Sequence, residues 1–201
     1  TLKSLEKVPL HISIDIGINE SNLYADYIVP DVTYVEGQYG WLNPHAPALK
    51  FTGVRIPALE PLTGRTADNR PFSLETFLID LAVSLKLPGF GENSIKDSSG
   101  KSHSLYTAED FYLRAYANIS AGAKLPKATV EEIAFVERNY PLTKHKEILS
   151  QEEWQQVCYM LARGGVFRPY KAVFDKDAFK HGVERVVLYN EKLGTTRNSL
   201  S

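Results

Sequence analysis

The sequence predicts an α/β fold: the end of an open, mostly parallel sheet, an extended connector, and a mainly helical segment. Three observations carry that reading. Val8 to Ile18 is rich in isoleucine and gives way to a polar turn, the pattern of a strand buried on both faces. Residues 37–72 are broken by Gly37, Gly40, Pro44, Pro47, Gly53, Pro57, Pro61, Gly64 and Pro71, too densely for a compact unit. From Ser73 onward, apolar residues recur at three- and four-residue spacing behind helix-start signatures. The boundaries fall at 1–36, 37–72 and 73–201.

After the first strand, Gly17 permits a tight turn, and Asn19 or Ser21 is placed to cap a short helix over Asn22–Tyr27. Ile28-Val29-Pro30 reads as a brief second strand that proline ends. In the connector, Tyr39, Trp41, Leu42, Phe51, Val54 and Ile56 are apolar anchors that need a larger body to pack on. Ser73 precedes Leu74, Phe77, Leu78, Leu81 and Leu85, a helical stripe that Pro88-Gly89 stops. Gly91–Ser104, with Asp97-Ser98-Ser99-Gly100, reads as a surface loop or hairpin turn. Thr107 with Asp110, Thr129 with Glu132, and Ser150 with Glu153 are capping boxes, each worth about 1 kcal/mol. Gly164-Gly165 ends the last of these helices, and Arg185–Tyr189 reads as a late strand.

With 201 residues the chain is long enough for one large domain or two small ones. A net charge of −1 gives no electrostatic case for nucleic acid or an anionic membrane, so no nucleic-acid partner is expected. The one cysteine, Cys158, excludes an internal disulfide, a cysteine-held iron–sulfur cluster and a cysteine-based zinc site within these residues. No apolar run approaches the roughly 20 residues that cross a bilayer. The chain opens on Thr1 without a basic-then-apolar leader, and is expected to be a segment of a longer polypeptide.

Phosphate-loop, nucleophile-elbow and zinc-helix motifs are absent. Leu87-Pro88-Gly89-Phe90-Gly91 lacks the strand-to-helix context of a dinucleotide loop and reads as a helix stop. His11, His45, His103, His145 and His181 show no metal-ligand spacing; His45, downstream of the first strand and beside Trp41, is the one to watch. Cys158, between Val157 and Met160 on an apolar helix face, reads as a buried, inert thiol. Arg163-Gly164-Gly165 reads as a helix stop with a dipole-compensating arginine, or as a cation and bare amides for an anion.

Asp15 is the candidate with chemistry. A carboxylate within a run of isoleucines is costly to bury without partners. It stands at the carboxyl end of a strand, where open α/β sheets hold ligands. Its partners are either the two adjacent N–H donors of a guanine edge or the backbone amides of the next turn. Asn19 and Ser21 stand beside it as ligand contacts or as ordinary turn residues.

The run Asp15-Ile-Gly-Ile-Asn19-Glu-Ser21-Asn-Leu-Tyr-Ala25-Asp26-Tyr-Ile-Val-Pro30, with Glu36 following, resembles a signature of the dimethyl-sulfoxide-reductase type of molybdopterin oxidoreductase. Glu60-Pro61, Thr63–Ala67, Leu87–Gly91, Ala108–Arg114 and Ala162–Gly165 resemble the tetrathionate-reducing branch of that family. The resemblance implies a reductase whose cofactor is molybdenum bound by molybdopterin guanine dinucleotide. It assigns 1–36 to the carboxy-terminal part of the α/β cofactor-binding domain. Asp15 would bind guanine, with Asn19, where relatives often carry Thr, and Ser21 nearby. An iron–sulfur cluster would lie in the parent protein outside this segment. Implied partners are the remainder of the catalytic subunit, an iron–sulfur electron-transfer subunit, plus a membrane quinol-oxidising subunit, in a periplasmic or other extracytoplasmic location. The amino-terminal cluster cysteines and the segment bearing the protein ligand to molybdenum have no counterpart here, so neither a catalytic nor a metal-ligating residue is assigned, and the isolated segment is expected to be inactive. Sister reductases of arsenate, polysulfide or thiosulfate, and a non-catalytic α/β binding module, are the alternatives.

Overall fold

Two short strands run parallel near the amino-terminal end of the computed structural model, which describes residues 2–5, 7–37, 41–42 and 51–167. A single helical turn, α1 (Leu2–Leu5), precedes β1 (Ile12–Asp15). A one-turn 3-10 helix (Asn22–Tyr24) leads into β2 (Tyr27–Pro30), which pairs with β1 from Ile12 opposite Tyr27 to Asp15 opposite Pro30. β3 (Trp41–Leu42) and β4 (Phe51–Val54) are antiparallel. Next come α2 (Leu74–Ser84) and an antiparallel hairpin of β5 (Gly91–Lys96) and β6 (Ser102–Leu105). α3 (Ala108–Gly122), α4 (Val130–Asn139), a 3-10 stretch (Pro141–Ile148) and α5 (Gln151–Ala162) complete the helical part. β7 (Gly165–Phe167) then returns to pair antiparallel with β4.

The fold is α/β, and its sheets correct the sequence reading in two ways. β1–β2 is the single parallel pair among the described residues; the other two sheets are antiparallel. The first strand is also shorter and wetter than its isoleucines suggest. It spans four residues, and Ile16 and Ile18 beyond it are 64% and 74% exposed. β2 pairs along one edge of β1, and within the strand Ile12 is exposed while Ser13, Ile14 and Asp15 are only part-buried. The late strand expected at Arg185–Tyr189 lies outside the described residues.

Helix starts follow the sequence closely, because each cap is made within one turn. Thr107 Oγ1 accepts the Asp110 N–H at 3.2 Å, and Asp110 Oδ2 accepts the Thr107 N–H at 3.0 Å. Thr129 with Glu132, and Ser150 with Glu153, repeat the reciprocal geometry. Ser73 caps α2 through the Thr76 N–H. The core lies where α3, α4, α5 and the 3-10 stretch meet: Leu113, Tyr116, Val136, Leu142, Val157 and Leu161 are fully buried there.

α2 departs from expectation. The stripe read as its buried face turns outward: Leu74, Leu78, Leu81 and Leu85 are 40%, 49%, 41% and 61% exposed. The inward face is Thr76, Ile79 and Ala82. Small and β-branched side chains fill the space toward the helical core, and the leucines point away from it. The anticipated surface turn at Asp97–Gly100 joins an antiparallel hairpin whose register shifts between Gly91 and Ile95, and Asp97 accepts the Ser99 and Lys101 N–H groups.

Candidate functional site

Asp15 closes β1 with its backbone carbonyl accepting the Asp31 N–H at 3.0 Å, one residue past the end of β2. The tips of the parallel pair are thereby tied together at their carboxyl edge. The Asp15 side chain is partly exposed. Its Oδ1 accepts the Ile16 N–H at 2.8 Å, and its Oδ2 accepts Asn19 Nδ2–H at 2.6 Å. A carboxylate offers about four acceptor positions, so about two remain for a ligand.

Asn19 organises the turn. Its Oδ1 accepts the N–H groups of Ser21 (2.9 Å) and Asn22 (3.2 Å), while its amide nitrogen binds Asp15. It caps the following turn as expected, but the helix it starts is the single 3-10 turn Asn22–Tyr24, not a helix reaching Tyr27. Ser21 makes no side-chain capping bond. The structure therefore brings Asp15 and Asn19 into direct contact and holds Ser21 next to them through its own backbone.

Asn22 is the residue the sequence reading overlooked. It is 1% exposed; its Nδ2–H donates to Gly17 O at 2.9 Å and its Oδ1 accepts the Asn19 N–H at 2.6 Å. The available signal was the pair of asparagines three residues apart, each able to hold the other's turn. Asp26 accepts the His11 N–H at 2.7 Å and returns its own N–H to His11 O, fastening the amino-terminal ends of β1 and β2. Asp31 Oδ1 accepts both the Val32 N–H (2.8 Å) and the Leu74 N–H (2.9 Å), joining the exit of β2 to the first turn of α2. Glu36 holds the next turn from Thr33 Oγ1, Leu62 N–H and Thr33 N–H, bonds that keep its carboxyl below the ordinary carboxylate range.

The other candidates resolve as follows. His11 Nδ1 lies 3.3 Å from Tyr24 O, His103 Nε2 lies 2.9 Å from Asp97, and His145 Nδ1 lies 3.0 Å from Asp110; His45 and His181 are outside the described residues. Among the described residues no group of three or more His, Cys, Asp or Glu side chains is placed to hold a metal ion. Cys158 is fully buried, and that burial pushes its thiol up to about 12. Arg163 is used structurally: its guanidinium stacks on the Tyr159 ring at 3.4 Å and pairs with Glu132 at 2.6 Å, while Gly164 at φ 70° stops α5.

The class set by this geometry is an α/β segment with a polar, carboxylate-bearing loop at the carboxyl edge of a parallel strand pair. Comparison gives its kinship. Over its whole length the chain is 39% identical to the A subunit of tetrathionate reductase from Archaeoglobus fulgidus, covering 19% of that protein. It is 42% identical to the A subunit of tetrathionate reductase from Salmonella typhimurium over 84% of the chain and 17% of that protein. It is 34% identical over its whole length to the A subunit of selenate reductase from Mesobacillus selenatarsenatis, covering 20% of that protein. The chain is homologous to a segment of these reductase polypeptides and spans about a fifth of the length of the curated relatives it matches. No protein-family model and no solved structure matches it.

Proposed function

We propose that the protein to which this chain contributes is a molybdenum-dependent respiratory reductase that converts tetrathionate to two thiosulfates, and that residues 15–21 help bind its molybdopterin guanine dinucleotide. The observation that carries the reading is the similarity, sustained through the whole chain, to the A subunits of tetrathionate and selenate reductases. The local geometry fits the group. Asp15 retains acceptor capacity on a partly exposed carboxylate at a strand tip, and two adjacent acceptors suit the paired N–H donors of guanine. Asn19 orients that carboxylate, and Ser21, tied to Asn19 through its N–H, would offer its hydroxyl to a dinucleotide oxygen. When bound, the cofactor supplies the two-electron redox chemistry. These residues bind and orient it.

The same reading surrounds this segment with the remainder of the catalytic subunit, an iron–sulfur electron-transfer subunit, plus a membrane quinol-oxidising subunit, outside the cytoplasm. The selenate reductase relative supports selenate as a second substrate reading. The deciding experiment is to purify the full-length protein, measure molybdenum and guanine nucleotide, and assay viologen-coupled reduction of tetrathionate, selenate and arsenate. Molybdenum, guanine nucleotide and tetrathionate turnover are expected. Turnover of selenate or arsenate alone would reassign the substrate, and absence of both metal and nucleotide would favour a binding module.

A further inference from the structure

The connection leaving β2 passes beside a cation that has no ion-pair partner among the described residues. Arg55 follows β4 and is partly buried; its Nε is enclosed and has no hydrogen-bond partner among the described residues, and no described carboxylate pairs with its head. Arg65 and Arg70, farther along the same stretch, behave differently: Arg65 faces Glu60 at 3.9 Å, and Arg70 is held by Asp68 at 2.6 Å and Asp80 at 2.8 Å. An N–H taken out of water with no acceptor costs free energy, and such an orphan calls for an explanation, a bound ligand or ion being one.

The surroundings of Arg55 match that description. Buried Gly37 lies against its head: a Cβ there would stand 2.9 Å from Nη2, so the absence of a side chain is what admits the guanidinium. Glu75 and Asp31 act with Arg55 on the Tyr112 hydroxyl, yet neither forms an ion pair with Arg55, and the side chains around it are held by other bonds. Asp31 accepts the Val32 and Leu74 N–H groups, Glu36 accepts Thr33 and Leu62, and Glu75 accepts the Tyr112 hydroxyl at 2.5 Å. Arg55 also lies on the functional side of the fold. Asp31, bonded to Asp15 O, and the 33–37 turn both follow the carboxyl end of β2, and Gly37 touches Arg55.

We propose that Arg55 is an anion-recognising residue of this edge, and that its guanidinium takes an oxyanion group through paired N–H donors, as arginine does with sulfur and phosphorus oxyanions. The assignment rests on the reductase reading for the source of that oxyanion, which is either the dianionic sulfur substrate or a phosphate of the dinucleotide.

The full-length protein tests it through Arg55→Gln and Arg55→Lys. If the anion is substrate, Arg55→Gln raises KM for tetrathionate about tenfold or more, leaves kcat within about twofold and leaves molybdenum content unchanged, with partial recovery in Arg55→Lys. If it is the dinucleotide phosphate, Arg55→Gln lowers molybdenum and guanine nucleotide per protein molecule together. KM, metal and nucleotide all unchanged in Arg55→Gln, even with a lower melting temperature, overturns the proposal. Should the wild type hold no molybdenum and reduce neither tetrathionate nor selenate, the reductase reading fails separately. Calorimetric titration of thiosulfate and of inorganic pyrophosphate then decides Arg55: binding lost in Arg55→Gln sustains the proposal, and binding absent from the wild type or equal in both overturns it.

Discussion

Arg114 and Glu153 form a two-pronged ion pair, Nη1 to Oε2 at 2.9 Å and Nη2 to Oε1 at 3.0 Å, that locks α3 to the start of α5. Glu153 is 7% exposed and is fully used: it also accepts the Ser150 N–H of its own capping box and the Ser98 N–H of the hairpin turn. One carboxylate therefore joins three elements.

Removing either partner strands a buried charge, which costs about 3–5 kcal/mol. Arg114→Ala and Glu153→Ala are each expected to destabilise by that order, and the double variant by clearly less than their sum. Hydrogen exchange of α3 and α5 amides in the full-length protein reads the loss; strict additivity would show that the pair carries no coupling.

His145 and Asp110 give the same core a pH dependence. The Asp110 hydrogen bond raises His145 above its ordinary 6.5, against desolvation. For Asp110, burial alone would raise the carboxyl, but the bonds from His145, Tyr106 N–H and Thr107 outweigh it and hold the group below 3.8. The His145 contribution is complete below pH 6.5 and disappears as pH rises through its elevated folded value. The Asp110 contribution is complete above pH 3.8 and disappears as pH falls through its depressed folded value. Exchange protection in the first turn of α3 should therefore weaken on the alkaline side of the raised histidine value, and His145→Gln should abolish that limb.

Cys158 should not react with maleimide at pH 8 while the protein is folded. It is fully buried, and its thiol is displaced to about 12. Peptide mapping is expected to find label at this cysteine only after unfolding. Rapid native labelling would show that the helix face opens locally.

Gly165 and Gly164 should respond very unequally to substitution. Gly165 sits at φ 142° with Thr52 O of β4 directly where a Cβ would go, so Gly165→Ala is expected to break the β4–β7 pairing at a cost of several kcal/mol, at least about 2. Gly164, at φ 70° with open space around it, should accept asparagine with a loss of less than about 1 kcal/mol. Thermal unfolding of the two variants separates them.

At the proposed cofactor edge, Asp15→Asn turns one carboxylate acceptor into a donor while keeping the size of the side chain. Molybdenum and guanine nucleotide content should fall about tenfold or more in the full-length protein, with exchange in β1 unchanged. Asn22→Ala should lower the same contents indirectly, by releasing Gly17 O and Asn19 N–H, and should speed exchange across residues 17–22. Normal cofactor content in Asp15→Asn would remove this edge from the binding site.

Much of this molecule is written locally. Thr107, Thr129 and Ser150 start helices because each capping bond closes within one turn, independent of what lies beyond it. The Asp15–Asn19 contact is legible for the same reason, since four residues and a turn bring the two together. The burial of Cys158 follows from the apolar face that carries it. Other features needed partners from far along the chain. The sequence contains the leucines of α2 but not the direction in which they face; packing against α3 chose Thr76, Ile79 and Ala82 instead. The return of β7 to β4, the bond from Leu74 to Asp31, and the lone guanidinium of Arg55 beside Gly37 also arise from segments tens of residues apart. Local hydrogen bonding is fixed by residue type and spacing, whereas the face a helix buries and the charge a connection leaves unpaired depend on which distant surface packs there and excludes water.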